Sequence, residues 1–311
     1  MPRASLFSLE KEKTFERKET KNSPNLRTHA IWIRIPVAPY FIIKMEEKIS
    51  RNAQENYKDT TNLGVRKNFS ANNVRPYIDL KKEVFYMLNL PNNKKILDVA
   101  CGYGDFLVLL KERGHTGELF GVDLSENFVK ESKKSNQDIN FSVANAESLP
   151  FEDETFDIVL CKHSLYHFDD IPKAIKEMSR VLKKEGKLVI TLNSLANGSR
   201  EKIEKFKDLL AEVLQINHLD NNKIINLENY HKYFNEFKIL KEVKFFGYIN
   251  LKEIKTLVDY MNTLKEFFYP VPSEINWKGA LNLIEKEVQK EIDKTGSYKE
   301  TWGAGVILMK K

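Results

Sequence analysis

Between residues 76 and 195, short apolar runs alternate with longer segments whose apolar positions recur at helical spacing. The runs "KILDVA", "ELFGVD", "INFSVA", "FDIVLC" and "KLVITL" predict buried strands, and the segments between them predict helices that pack by one face. In "PYIDLKKEVFYMLNL" the apolar stripe is Tyr77, Leu80, Val84, Phe85 and Leu88. Asp105 is placed to cap the helix after the first strand, and Gly114 to end it. Ser125 is the expected cap of "ENFVKESKKS". The segment "DDIPKAIKEMSRVLKKEG" predicts a helix that starts at Asp170 and Pro172, buries Ile175, Met178, Val181 and Leu182, and ends before Gly186. Strand and helix in regular alternation predict an α/β fold, a parallel sheet covered on both faces.

Beyond residue 195 the rhythm loosens. Residues 199–216 carry a helical stripe through Ile203, Phe206, Leu210 and Val213, and residues 226–236 predict another helix. "FKILKEVKFFGYI" predicts a long strand. Helical segments at 251–268 and 278–293 precede a last strand, "GAGVILMKK", and these helices are expected to cap the edge of the sheet. Four regions result: a leader (1–44), an arm over the site (45–75), a core (76–195), and a second half of the sheet with its helical cap (196–311).

Charge locates the leader. Residues 1–44 hold nine Lys/Arg and four Glu, a net of +5, out of a whole-chain formal charge of +6. The polar, aperiodic stretch "KEKTFERKETKNSPNLRTH" has the composition of a disordered tail, either a basic arm or an extension upstream of a true start at Met45. The remaining body is close to neutral and shows no electrostatic footprint for nucleic acid. "IWIRIPVAPYFIIKM" falls short of the roughly 18 apolar residues of a membrane span and is broken by Arg34, Pro36 and Pro39. Two cysteines, Cys101 and Cys161, are too few for a disulfide framework. A cytoplasmic protein without a membrane span is expected.

The candidate site is the turn after the first strand, "ILDVACGYGDF". Ligands of open α/β sheets bind beyond the carboxyl ends of the strands. A dinucleotide fingerprint needs a third glycine, and Leu107 stands at that position. Asp98 and Asp105 would repel a pyrophosphate, which favours a bare helix N-terminus. The same carboxylates suit a ligand with positive charge, and S-adenosylmethionine carries a sulfonium and an ammonium group. Asp123, which ends the second strand, is spaced to accept both hydroxyls of a ribose, and Asn145 to meet an adenine amino group.

Four motifs in order, "ILDVACGYGDF", "GVDLSENFV", "NAESLPFEDETFDIV" and "AIKEMSRVLKKEGKLVIT", resemble those of class I S-adenosylmethionine-dependent methyltransferases. The group that includes the ubiquinone- and menaquinone-biosynthesis methyltransferases is the most similar. The resemblance covers about residues 76–195 and a final strand at 303–310. It implies a Rossmann-like sheet of seven strands, the last antiparallel between the fifth and sixth. It also implies that Asp98, Gly102 and Gly104 face the methionine part of the cofactor, Asp123 the ribose, and Leu124, Asn145 and Ala146 the adenine, with Ala100 and Arg66 also among the cofactor-binding residues. Ala100 replaces the commonest first glycine, and Asn145 a frequent acidic residue.

Methyl transfer from a sulfonium chiefly requires the acceptor and methyl to be held in line away from water. "KHSLYHF" lies where an acceptor would arrive, so His163 and His167 are the candidate base or positioning groups. As an i,i+4 pair they could also be metal ligands, but no nearby carboxylate completes such a site and no metal is expected. Arg66 could pair with the cofactor carboxylate, and Tyr57 lies in the same arm. Tyr230, His231 and Tyr260 fall on apolar stripes and read first as packing. The insert at 250–293, with Tyr260 and Phe267, is the expected apolar lid that selects the acceptor. The expected partner is a small-molecule acceptor, methylated on O, N or C. An RNA-modifying methyltransferase and a silent cofactor-binding partner are the alternatives, the former lacking a "[DNS]PP[YF]" signature after the fourth strand.

Overall fold

The computed structural model describes residues 61–89, 91–198, 201–215, 217–218, 225–265, 268–269 and 272–311. These lie in one compact unit, Tyr40–Lys311. The leader, Tyr57 and Phe267 fall outside the described residues.

Helix α1 (Thr61–Asn73) leads into β1 (Val74–Arg75) and α2 (Leu80–Leu88). The core follows as β2 (Ile96–Val99), α3 (Asp105–Glu112), β3 (Leu119–Asp123), α4 (Glu126–Ser135), β4 (Asn140–Val143), β5 (Phe156–Lys162), α5 (Ile171–Val181) and β6 (Leu182–Asn193). The remainder is α6 (Glu201–Leu214), β7 (Asn217–His218), β8 (Lys238–Leu251), α7 (Lys255–Asn262), β9 (Phe268–Tyr269), α8 (Glu274–Thr295) and β10 (Tyr298–Lys310). The main sheet runs β1-β8-β10-β6-β5-β2-β3-β4, with β7 and β9 paired separately. β2 through β6 pair in parallel, whereas β10 is antiparallel to both β6 and β8. The last strand is therefore inserted as expected. The sheet has eight strands rather than seven, because the two residues of β1 add to the edge at Ile249 and Tyr248.

Local chemistry explains most boundaries. Asp79 accepts from the Lys81 N–H (3.1 Å) and starts α2. Ser125 accepts from Phe128 N (3.4 Å) at α4, and Asp170 from Lys173 N (2.9 Å) at α5. Three expectations fail. Asp105 does not cap α3: Gly104 holds the N-cap position with φ 71°, and the Asp105 carboxylate turns to Lys67. Helix α5 stops at Val181 instead of running to Gly186, because buried Leu182 leaves helical geometry to pair with Phe156. Residues 226–236 form no helix beyond one turn, Tyr230–Lys232. There the Asn226 side chain accepts from Glu228 N (2.9 Å) and the Asn229 side chain from Asn226 N (2.8 Å). Asparagine side chains that bind local backbone in this way compete with helix formation.

One buried cluster joins the sheet to α5 through Leu160's neighbours Val159 and Cys161 with Met178 and Val181, and another joins it to α2 and α3. A third is the cap's own core, where Trp277, Ile284 and Val288 of α8 meet Leu257 and Met261 of α7 and Phe69 of α1. Among the described residues no helix is long and apolar enough to cross a membrane.

Candidate functional site

Strand order reverses between β2 and β5, so the crevice at their carboxyl ends is open to a ligand. A cavity of about 350 Å³ lies there. Its first wall is the turn after β2, with Ala100, Cys101, Gly102 and Tyr103. Ala100 (φ 56°), Gly102 (φ 57°) and Gly104 (φ 71°) all adopt left-handed backbone. An alanine there is strained by about 1–2 kcal/mol, which Ala100 tolerates inside a turn fixed on both sides. Gly104 has no such latitude: a Cβ at that position would come 2.4 Å from the Phe141 ring. The turn is anchored by Asp123, whose carboxylate accepts from Gly102 N at 2.8 Å and from Ser125 N at 2.9 Å. Burial raises the Asp123 carboxyl above the usual carboxylate range, and the backbone donors offset part of that rise.

The second wall follows β3 and β4, with Leu124, Asn145, Ala146 and Glu147 facing the cavity. Asn145 folds its side-chain oxygen onto Glu147 N (2.8 Å). Glu147 in turn accepts from the Asp169 and Asp170 N–H groups, both at 3.0 Å, and ties this wall to the start of α5. The third wall carries Lys162, His163, Ser164 and His167, with Thr191 from β6 and Leu63 and Lys67 from α1.

His163 and His167 thus meet in one cavity. His163 sits at φ 50° and donates its backbone N–H to Thr191 O (3.1 Å). His167 is half-buried at the cavity wall, and its Nδ1 is buried. Burial, with a smaller contribution from the Arg66 charge, pushes its pKa down to about 3. Among the described residues no three His, Cys, Asp or Glu side chains converge as a metal site would require.

Three predicted site residues are placed differently. Asp98 is fully buried and does not line the cavity; Lys162 covers it, bound to both carboxylate oxygens. Gly104 supports the turn from behind rather than facing the space. Arg66 points to Thr263, donating from Nε to Oγ1 (2.9 Å) and from Nη2 to the carbonyl oxygen. Its neighbour Lys67 lines the cavity instead, paired with Asp105 and 5.3 Å above the Tyr103 ring. Sequence reasoning missed Lys67, Lys162 and Thr191. Lysine in "LCKHS" was the available signal, since an ionisable group that closes an apolar strand seldom lacks a partner.

Residues 97–190 match the methyltransferase domain family. A demethylmenaquinone methyltransferase of Staphylococcus saprophyticus is 40% identical over 113 residues, 35% of this chain and 48% of that protein. The ubiquinone/menaquinone biosynthesis C-methyltransferase UbiE of Rickettsia prowazekii is 41% identical over 115 residues, 33% of this chain and 46% of that protein. The chain spans about half the length of the curated relatives it matches. Among solved structures, a Bacillus halodurans protein assigned as a methyltransferase superposes with TM-score 0.54 at 19% identity, over 74% of this chain and 98% of that one. The YcgJ protein of Bacillus subtilis gives TM-score 0.51 at 18% identity, over 74% and 97%. At such identities the structural likeness speaks for the fold alone. Residues 97–190 are thus a stretch that matches the methyltransferase domain family, on a fold like that of these solved structures. The demethylmenaquinone and ubiquinone/menaquinone methyltransferases are similar to this chain over about a third of its length.

Proposed function

We propose that the protein transfers a methyl group from S-adenosylmethionine to an O, N or C atom of a small-molecule acceptor. The observation that carries this reading is the Asp123 carboxylate, which organises the Gly102 turn and still faces the cavity. Its remaining lone pairs suit two ribose hydroxyls, and the left-handed turn brings backbone close enough for the methionine end. Leu124, Asn145 and Ala146 would hold the adenine. Bound S-adenosylmethionine supplies a methyl already activated by its sulfonium. What remains for the chain is to orient the acceptor and exclude water. His167, held neutral, suits a hydrogen-bonding role toward the acceptor better than proton removal, because a group with so low a pKa is a weak base. The free, buried Cys101 and Cys161 fit a reducing, cytoplasmic setting.

The quinone acceptors named for the relatives are not carried over. The similarity to those enzymes covers only about a third of this chain. Leu63 and Lys67, which close the acceptor side, precede the matched domain. Calorimetry with S-adenosylhomocysteine tests the reading. Wild type is expected to bind, and Asp123→Asn to bind about tenfold or more weakly, the usual loss when a charged hydrogen bond becomes neutral. A wild-type protein that binds neither cofactor nor product would overturn it.

A further inference from the structure

The end of the sheet beside the candidate acceptor carries two polar groups that the proposed function leaves without a task. Lys162 closes β5, and its register partner across the parallel pair is Thr191 of β6. Paired residues of neighbouring strands project to the same face of a sheet. Both residues line the cavity. Thr191 is 1% exposed, and its Oγ1 makes no hydrogen bond among the described residues. A buried hydroxyl without a partner is costly, and native proteins keep few of them. The surrounding backbone holds the group in place, since the Thr191 carbonyl accepts from His163 N at 3.1 Å.

Lys162 is equally constrained. Its side chain is 16% exposed and Asp98 beneath it 0%. Two of the three N–H groups of an ammonium satisfy the two Asp98 oxygens, which leaves one directed elsewhere. The Phe106 ring lies 5.2 Å from Nζ and blocks retreat to that side. Asp98 is thereby screened from the cavity by the Lys162 ammonium, and the Thr191 hydroxyl lies covered on the neighbouring strand, at the register position beside it. Both can donate, and one is charged.

We propose that Lys162 and Thr191 form an oxyanion subsite, which binds a carboxylate or comparable anionic oxygen of a molecule in this cavity. The inference rests on the proposed function for its setting. Two sources share the chemistry: the α-carboxylate of the cofactor, and an anionic group on the acceptor. Either satisfies the Thr191 hydroxyl, and Asp98 holds Lys162 in place for it.

The test compares wild type, Thr191→Val and Lys162→Met in binding pairs that differ in one carboxylate. S-adenosylhomocysteine against methylthioadenosine, which lacks the amino-acid part, reports the cofactor source. Benzoate against benzamide, with and without saturating S-adenosylhomocysteine, reports the acceptor source. Thr191→Val conserves shape and is expected to melt no lower than wild type. It should lose about tenfold in affinity for the carboxylate member of one pair and little for the neutral member, as for a hydrogen bond to charge. Loss in the first pair assigns the cofactor carboxylate, and loss in the second assigns the acceptor. Unchanged selectivity in both pairs, or equal weakening of charged and neutral members, overturns the subsite. Should Lys162→Met fail to fold, Thr191→Val decides alone. A wild type that ignores S-adenosylhomocysteine strikes the proposed function, while the benzoate comparison on the protein alone still judges the subsite.

Discussion

His167 shows how one side chain takes its chemistry from its surroundings. The unfolded ring titrates near 6.5 and the folded one near 3, because burial disfavours its charged form and Arg66 adds repulsion. Between those values the unfolded chain binds more protons, so His167 costs stability as pH falls below 6.5 and costs nothing above it. At pH 5 the loss amounts to roughly 2 kcal/mol. Asp98 and Asp123 act in the opposite sense, since their raised pKa values favour the folded state as they protonate. Those carboxyls are common to wild type and to a His167→Gln variant, so a comparison isolates the ring. Urea unfolding at pH 7 and pH 5 is expected to show wild type losing about 2 kcal/mol more than the variant. Equal losses would show that the ring is solvated in the folded protein. The sequence identified His163, His167, Asp123 and Asn145 as neighbours in one site because each closes or follows a strand, and strand ends converge in this fold. It could not reveal that Asp98 is neutralised by Lys162. Both carboxylates that argued for a cationic ligand, Asp98 and Asp105, carry a lysine partner contributed from elsewhere in the chain. Such pairing depends on tertiary register, which a local reading of "ILDVACGYGDF" does not contain.

Helices of the cap gave the sequence a harder problem. The stripe of Leu251, Ile254, Leu257, Val258 and Met261 was legible, and Leu257 and Met261 are indeed buried, with Tyr260 beside them. Periodicity reports that a face is covered but not by what. The expected lid over the acceptor instead packs into the cap's own core, where Tyr260 stacks on Phe69 of α1 at 4.5 Å between ring centroids. Tyr260 does not line the cavity, whereas Leu63 and Lys67 on α1 do. Helix α7 therefore packs against α1, and α1 contributes Leu63 and Lys67 to the cavity wall. Two further ties hold the unit together: Arg66 to Thr263, and Trp277 Nε1 to Asn262 Oδ1 at 2.9 Å. Tyr260→Ala should accordingly destabilise the protein by about 3 kcal/mol, the scale for a large aromatic removed from a core. Product affinity should hold at temperatures where the variant stays folded. A variant of unchanged stability and impaired turnover would restore the lid.

At the scale of the whole molecule, the strand order makes stability depend on the last residues of the chain. β10 lies between β6 and β8, pairing residues 304–310 with 187–193 on one side and residues 298–310 with 238–251 on the other. The sequence made this strand visible as "GAGVILMKK", and its central placement came only from the family resemblance, since an apolar run carries no address. Val306, Ile307, Leu308 and Met309 are all buried, with Val306 and Leu308 in the core toward α2 and α3, and Ile307 and Met309 in the core toward α5. At about 1.5–3 kcal/mol for each buried side chain, these four contribute roughly 6–12 kcal/mol. That is comparable to the about 5–15 kcal/mol by which most domains are stable. Without β10, β8 would retain only the two residues of β1 as a sheet neighbour. A chain ending at Ser297 should therefore lose its near-ultraviolet circular dichroism and its cooperative melting transition, although the entire matched domain, residues 97–190, is present. Removing Lys311 alone offers the contrast. That deletion takes away one ammonium from the carbonyls of Ser179 (2.7 Å) and Leu182 (2.9 Å) and one backbone N–H from Gly186 O (3.1 Å), and should cost only about 2–3 kcal/mol. A Ser297-terminated chain that melts cooperatively would mean that the parallel strands β2 to β6 fold as an independent unit, with β10 a later addition.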